Sequence, residues 1–295
     1  MRRILLLAGI LVLVRSVSAV AQGDEAKKAE VLATVQKLFD GMRARDTAAV
    51  SQVLDSSARL VTTLNANGVA DMDITAVPDF VRIVAIAAPG QLLDERIGGP
   101  EVGVEDNLAT VWVPYRFYLG TGFSHCGIDA FQLAKTSSGW KIIALADTRR
   151  APAECESAAQ GDEAKKAAVL ATVQKLFDGM RARDTVAISQ VMDPISRLMT
   201  SRTRSGAPVV EARSTPDFIH DIATAPAGQV LDERMQDPEV RAEDNLATVW
   251  TKYRFYVGER FSHCGVDVFQ LARTLSGWKI IALAYTIRPA PECGT

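Results

Sequence analysis

The sequence predicts an α+β fold built twice, with three N-terminal helices in each domain packed on one face of a curved antiparallel β-sheet. Three observations predict it. First, QGDEAKKAEVLATVQKLFDGMRARDT at 22–47 returns as QGDEAKKAAVLATVQKLFDGMRARDT at 160–185, with Glu30 changed to Ala168. The offset of 138 holds without a gap, since EDNLATVW starts at Glu105 and Glu243 and GWKIIALA at Gly139 and Gly277. A period this long marks duplicated domains, not a solenoid, and each unit is of ordinary domain size. Second, the first part of each copy carries helical apolar spacing. Third, the rest is a series of β-rich runs broken by turn residues.

Val31, Leu32, Val35, Leu38, Phe39 and Met42 lie at the i, i+3, i+4, i+7 positions of one buried helix face, while Lys27, Lys28, Lys37 and Arg43 keep the other face wet. Asp46 can cap a short second helix over 48–54. A strand follows near 59–64, and Pro78 suits the first turn of a third helix over 79–87. QLLDERI, EVGVE, LATVWVPYRFYL, FSHCGIDAFQLA and WKIIALADT then read as the strands of an antiparallel sheet. Divergence between the copies is concentrated: 22 of the 29 positions in 61–89 differ from 199–227, while the flanking blocks are nearly identical. That block is either a permissive surface segment or the part that shapes two pockets for different ligands.

The N-terminus differs from the rest. Arg2 and Arg3 precede an apolar stretch from Ile4 to Val14, and Ala19-Val20-Ala21 is a small-x-small cleavage site. The stretch is far shorter than the roughly 20 residues that span a bilayer. The expected layout is a signal peptide at 1–21, a first domain at 22–150, a linker at 151–159 and a second domain at 160–295. Cleavage would remove three arginines and no acid, leaving 30 basic against 35 acidic residues, a charge of −5. Such a surface lacks the basic stripe that nucleic acid requires. With no later apolar stretch of spanning length, the mature chain is expected to be soluble, off the membrane, and exported to the periplasm or the extracellular space.

The helix order, the DT step between helices one and two, HCGxDxFQL and the closing GWKI resemble the nuclear transport factor two superfamily. Within it they are similar to the SnoaL-like, ketosteroid-isomerase-like and lumazine-binding groups. The resemblance covers each copy almost end to end. It implies two cone-shaped domains, each with a pocket between the helices and the concave sheet face. It also implies a pocket carboxylic acid at Asp129 and Asp267. The general-base aspartate of ketosteroid-isomerase-like proteins falls at about Thr62 and Thr200 here, and their helix-one tyrosine at about Leu38 and Leu176.

FSHCGIDAF at 123–131 and FSHCGVDVF at 261–269 concentrate the chemistry. Gly120 and Gly258 fit two-residue turns before these strands. A two-residue turn at Gly120-Thr121 sets Arg116 opposite His125 and Trp112 opposite Asp129, whereas a three-residue loop gathers Tyr115, Phe117, His125 and Asp129, because a one-residue slip swaps faces. Either way His125 and Asp129 share a side, as do His263 and Asp267. These four are the candidate catalytic residues, since a histidine and a carboxylate side by side can share proton transfer. Candidate ligand contacts are Trp112, Tyr115, Arg116 and Phe131, with Trp250, Tyr253, Arg254 and Phe269 in the second copy. The same aromatics can serve as core on one face and as domain-to-domain packing on the other.

Cys126 and Cys155 are 29 apart, as are Cys264 and Cys293. Four cysteines allow three pairings, and the duplicated spacing favours one disulfide inside each domain of an exported chain. The rival is a nucleophilic Cys126 beside His125. Adjacent strand residues point to opposite faces, which argues against that nucleophile and against a shared metal ion. No metal or other cofactor is expected. Three functions fit: binding of a small organic ligand, an isomerase, lyase or cyclase using the Asp-His pair, and a non-catalytic association module in which the two domains pair within the chain. Asp147 and Arg149 stand where the second copy has Tyr285 and Ile287, so only the first copy can have a charged cavity floor.

Overall fold

The computed structural model describes residues 4–66, 69–88, 91–156, 163–226 and 228–294; Arg2 and Arg3 of the expected signal and residues 157–159 of the expected linker lie outside them. Helix α1 (Ile4–Ala44) runs unbroken from the apolar leader into the first amphipathic helix. There follow α2 (Thr47–Val53), β1 (Arg59–Ala66), β2 (Val69–Ala76), α3 (Val77–Ile86), β3 (Leu93–Ile97), β4 (Glu101–Glu105), β5 (Leu108–Leu119), β6 (Gly122–Thr136) and β7 (Gly139–Thr148). The second copy repeats them as α4 (Glu163–Ala182), α5 (Thr185–Val191), β8 (Met192–Arg204), β9 (Ala207–Ser214), α6 (Thr215–Thr224), β10 (Leu231–Glu243), β11 (Leu246–Val257), β12 (Arg260–Thr274) and β13 (Gly277–Thr286), with a short β14 (Arg288–Pro289). Among the described residues no helix is long and apolar enough to cross a membrane.

Each copy forms a seven-stranded sheet. The first runs β2-β1-β7-β6-β5-β3, with β4 also on β5; only the β1–β7 pair is parallel. In the second sheet β10 replaces β3 and β4 as one strand, with a register shift between Gln236 and Glu239. Local chemistry explains the helix starts. Asp46 and Asp184 each accept a hydrogen bond at 2.9 Å from the backbone N–H three residues on, and Pro78 and Pro216 occupy first turns. The helix face predicted from Val31 to Met42 is buried on the concave side of the sheet, where Phe39 meets Phe131 edge-on at 6.0 Å. The hairpin of β1 with β2 is an addition to the predicted elements, and it fills much of the divergent block.

The convex faces pack against each other. One buried cluster joins Trp112, Ile128 and Ala130 to Leu246, Ala272 and Ile281; a second joins Leu108 and Ala134 to Met199, Val266 and Val268. Several polar contacts across this interface come in matched pairs. Gln132 Nε2 donates to Val268 O at 2.9 Å and Gln270 Nε2 to Ala130 O at 2.7 Å. Arg150 pairs with Glu243 and Asp244, and Arg288 with Glu105 and Asp106. These contacts map onto their partners by the offset of 138, which is the self-complementarity of a two-fold dimer made inside one chain.

Disulfides join Cys126 to Cys155 and Cys264 to Cys293. The residue between cysteine and the next apolar position has its own reason. A Cβ at Gly127 would sit 1.9 Å from Thr148 O, and one at Gly265 2.1 Å from Thr286 O, so only glycine lets the end of β7 or β13 pass. Gly127→Ala is therefore expected to cost about 3 kcal/mol or more by overpacking against backbone. Gly122→Ala in the same strand, whose Cβ would meet only Leu119 O at 3.6 Å, should stay within about 1 kcal/mol of the parent. Urea unfolding of the two variants checks this, and equal stabilities would contradict it.

Candidate functional site

Between α1, α3 and the concave face of the first sheet lies a cavity of about 360 Å³. Its apolar wall comes from the helices, through Leu38, Phe39, Met42, Phe80 and Val84, and its polar floor from the strands. On the floor Asp147 is the hub. Thr62 Oγ1 donates to Asp147 Oδ1 at 2.7 Å, Arg149 Nε to Oδ2 at 3.2 Å, and Arg149 Nη2 reaches Thr62 Oγ1 at 3.2 Å. Tyr115 gives its hydroxyl proton to Thr148 O at 2.7 Å. His125 is stacked on Phe117 at 4.9 Å and meets Tyr115 edge-on at 5.7 Å, with its Nδ1 3.0 Å from Ser124 Oγ.

Beside this hub Glu95 and Asp129 form a hydrogen-bonded carboxyl pair. Asp129 is 2% exposed, and its Oδ2 receives no donor among the described residues. Burial pushes the Asp129 carboxyl well above the usual carboxylate range, and the neighbouring Glu95 charge pushes it further. Burial likewise raises Glu95, to about 7, against the opposing effect of the hydrogen bond from Asp129. Two adjacent buried carboxylates cannot both ionise, so the pair holds a proton, kept by Asp129 and offered to Glu95. Burial raises Asp147 as well, though the Arg149 charge and the Thr62 hydroxyl offset part of the effect. Burial, then the Arg149 charge, lowers His125 to about 4, which leaves its ring neutral at pH 7.

The predicted site residues divide between the two faces of the sheet. His125, Asp129 and Tyr115 line the cavity, and Phe131 is core beneath it. Trp112 and Arg116, expected as ligand contacts, lie on the opposite face, where Trp112 packs in the domain interface and Arg116 sits over Phe123 at 5.3 Å. The reason is a β-bulge. The turn has two residues, with Leu119 opposite Gly122 and Gly120 at φ +65°, but the register shifts between Phe117 and Tyr118, setting Phe117 opposite His125 and Val113 opposite Asp129. The bulge thus produces the face expected of a longer loop. The predicted Asp-His pair is also replaced, because the partner of Asp129 is Glu95. Glu95 escaped the sequence reading, although alternation in LDERI places it with Leu93 and Ile97 on one face.

The second domain repeats the plan in a smaller cavity of about 200 Å³. His263, Asp267 and Tyr253 line it, Phe269 is core, Trp250 packs toward the interface and Arg254 lies over Phe261 at 4.4 Å. Glu233 and Asp267 form the equivalent carboxyl pair, with both acids raised chiefly by burial and Asp267 Oδ2 again without a donor. The hub is gone. Tyr285 and Ile287 replace Asp147 and Arg149, and Arg213 takes the place of Thr75 in the lining.

Residues 26–146 match a family model described as "Putative lumazine-binding". The match covers 121 of the 295 residues, all within the first domain. Solved structures similar to one domain of this chain include an NTF2-like protein from Silicibacter pomeroyi DSS-3, at 17% identity over 44% of this chain and 100% of that one, TM-score 0.35. Others are a nuclear transport factor 2-like superfamily protein from Salmonella enterica serovar Typhimurium, at 12% identity over 45% and 96%, TM-score 0.35, and an NTF2-like family protein from Streptomyces avermitilis described as a putative dehydratase, at 15% identity over 43% and 99%, TM-score 0.34. No curated protein matches the chain.

The raised Glu95 makes stability pH-dependent with a definite sign. Folding must take up a proton once the pH exceeds the ordinary glutamate value of 4.5, so this contribution is intact below about 4.5 and lost as the pH rises to about 7. Glu95→Gln removes that requirement. Its stability gain over the parent should be near zero at pH 4.5 and on the order of 1–3 kcal/mol at pH 7.5, read from urea unfolding. A gain of the same size at both pH values would mean that the pair does not hold its proton.

Proposed function

We propose that the chain is an exported tandem protein, with domains at 22–150 and 160–295, that binds a small organic ligand in the cavity of its first domain. The observation that carries the reading is a cavity of about 360 Å³ combining an apolar wall with a buried acid, Asp129, whose Oδ2 has no donor among the described residues. The lumazine-binding-like match over the same residues supports it. Export is supported by the leader composition, and the two disulfides fit an oxidising compartment. The domain pairing provides the frame, since the convex faces are mutually buried and the concave faces stay free for ligand.

A second reading is favoured by one observation, a carboxyl pair whose Glu95 is raised to about 7, poised for acid–base work near neutral pH. In that reading Asp129 and Glu95 move the proton and His125 serves as an aromatic wall. Turnover abolished by Asp129→Asn in a correctly folded protein would decide for it.

The binding reading predicts that native mass spectrometry of the exported chain shows a low-mass adduct, released on denaturation, on a polypeptide beginning at Gln22. The double variant Asp147→Tyr with Arg149→Ile, which copies the second floor, should lose at least about 90% of that adduct, as expected when several polar contacts go. A chain that is adduct-free, and whose melting temperature is unmoved by a small-molecule panel, would instead favour a pure association module.

A further inference from the structure

Resting on the binding reading above, the geometry points to the head group. We infer that the first-domain cavity takes a small amphiphile whose head is a protonated amine or amidine, seated between Glu95 and Asp129.

The donors and acceptors of the floor do not balance. Tyr115 gives its proton to Thr148 O, Thr62 gives its own to Asp147, and Arg149 is committed to Asp147 and Thr62. Beside this network stand two carboxyls that line the cavity, Glu95 and Asp129, and Asp129 Oδ2 has no hydrogen-bond donor among the described residues. A head group seated on this pair must bring donors.

Charge selects among donor-bearing heads. The ionisable groups facing the cavity are Glu95 on β3, Tyr115 on β5, His125 and Asp129 on β6, Asp147 on β7 with Arg149 just beyond it, and Asp73 on β2; α1 and α3 contribute only apolar side chains. Four carboxyls therefore face one guanidinium, which Asp147 already holds. An ammonium entering between Glu95 and Asp129 displaces one proton to solvent and leaves the net charge of the buried site unchanged. A neutral head cannot replace that proton, and an anion adds like charge to a dry, acidic space. Phe117, Tyr115 and the neutral His125 ring line the same cavity, and aromatic faces favour a cation further.

The mouth fits the body of an amphiphile. Ile83 lines the entrance and is 48% exposed, with Phe80 and Val84 behind it on α3. In the second domain Asp221 stands at the position of Ile83 and binds Arg213 at 2.7 Å, so that smaller cavity is approached past a cation. The preference for a cationic head thus belongs to the first domain.

Isothermal titration of the whole disulfide-bonded chain with three probes of one shape tests this: 2-phenylethylamine, 2-phenylethanol and phenylacetate. The amine should bind at about one equivalent and at least about tenfold more tightly than the alcohol, with phenylacetate weakest, as expected when a charge-assisted contact is present or absent. Above about pH 7, where the pair holds one proton on Asp129, the apparent enthalpy should depend on the buffer, because binding releases that proton. Glu95→Gln should weaken the amine about tenfold and leave the alcohol unchanged. Alcohol or phenylacetate binding as tightly as the amine overturns the cationic head and leaves the binding reading standing. Amine binding indifferent to Glu95→Gln overturns the seat. If none of the three binds at millimolar concentration, the inference falls; the binding reading falls with it only if the exported chain also carries no cargo.

Discussion

The close passage of the end of β7 over β6 is the contact on which the rest depends. Gly127 lets Thr148 approach; Thr148 Oγ1 then accepts the Ile128 N–H at 2.9 Å, and Thr148 O accepts the Tyr115 hydroxyl at 2.7 Å. Two residues further, Arg150 and Cys126 exchange backbone hydrogen bonds at 2.8 and 3.3 Å, and Cys126 is tied to Cys155. Because side chains alternate along an extended chain, fixing Thr148 also aims its neighbours. Asp147 and Arg149 turn into the cavity, and Arg150 turns to the domain interface, where it meets Glu243 and Asp244. One crossing therefore sets the cavity floor and the two ion pairs of Arg150 together. The second copy keeps it, with Gly265, Thr286 and Tyr253 in the same roles.

The interface constrains both halves of the duplicated chain. Gln132 and Gln270 are fully buried and depend on the partner domain for an acceptor, Val268 O or Ala130 O. Leaving such an amide without its partner costs about 1–3 kcal/mol each. Both copies must therefore keep β6 and β12 in register. Covalent linkage adds a high effective concentration, which holds the pair together without new contacts. It also allows the two domains to differ, which a homodimer encoded once cannot do.

Much of this architecture was legible because it follows from short-range rules. The 138-residue offset, the apolar stripe from Val31 to Met42, the Asp46 cap and the paired cysteine spacing each have a local cause, and each has its counterpart in the structure. The prediction that Asp147 and Arg149 could charge only one floor needed no more than the two copies side by side. Other features were not local. A bulge opposite Phe117 has no marker in FSHCG, yet it decides that Arg116 leaves the cavity face and Tyr115 joins it. Glu95 is 34 residues from Asp129, and nothing along the chain shows that β3 brings them together across β5. Strand β2 was missed because VADMDITA mixes acids with small apolar residues and lacks the alternation that marks a half-buried strand.

The distribution of change inside the cavities separates what the domains share from what distinguishes them. Both keep a buried carboxyl pair, Glu95 with Asp129 and Glu233 with Asp267, although burying two acids side by side opposes folding at neutral pH. Both also keep the aromatic wall, as His125 on Phe117 at 4.9 Å and His263 on Phe255 at 4.8 Å. What differs lies around that centre: Thr75 against Arg213, Ile83 against Asp221, Asp147 against Tyr285 and Arg149 against Ile287. An unfavourable feature kept in two copies, amid walls that have been exchanged, is hard to account for by packing, because an apolar pair of similar volume would pack without the desolvation cost. On the binding reading the acid pair is the element common to both cavities, and entrance and floor are what distinguish them.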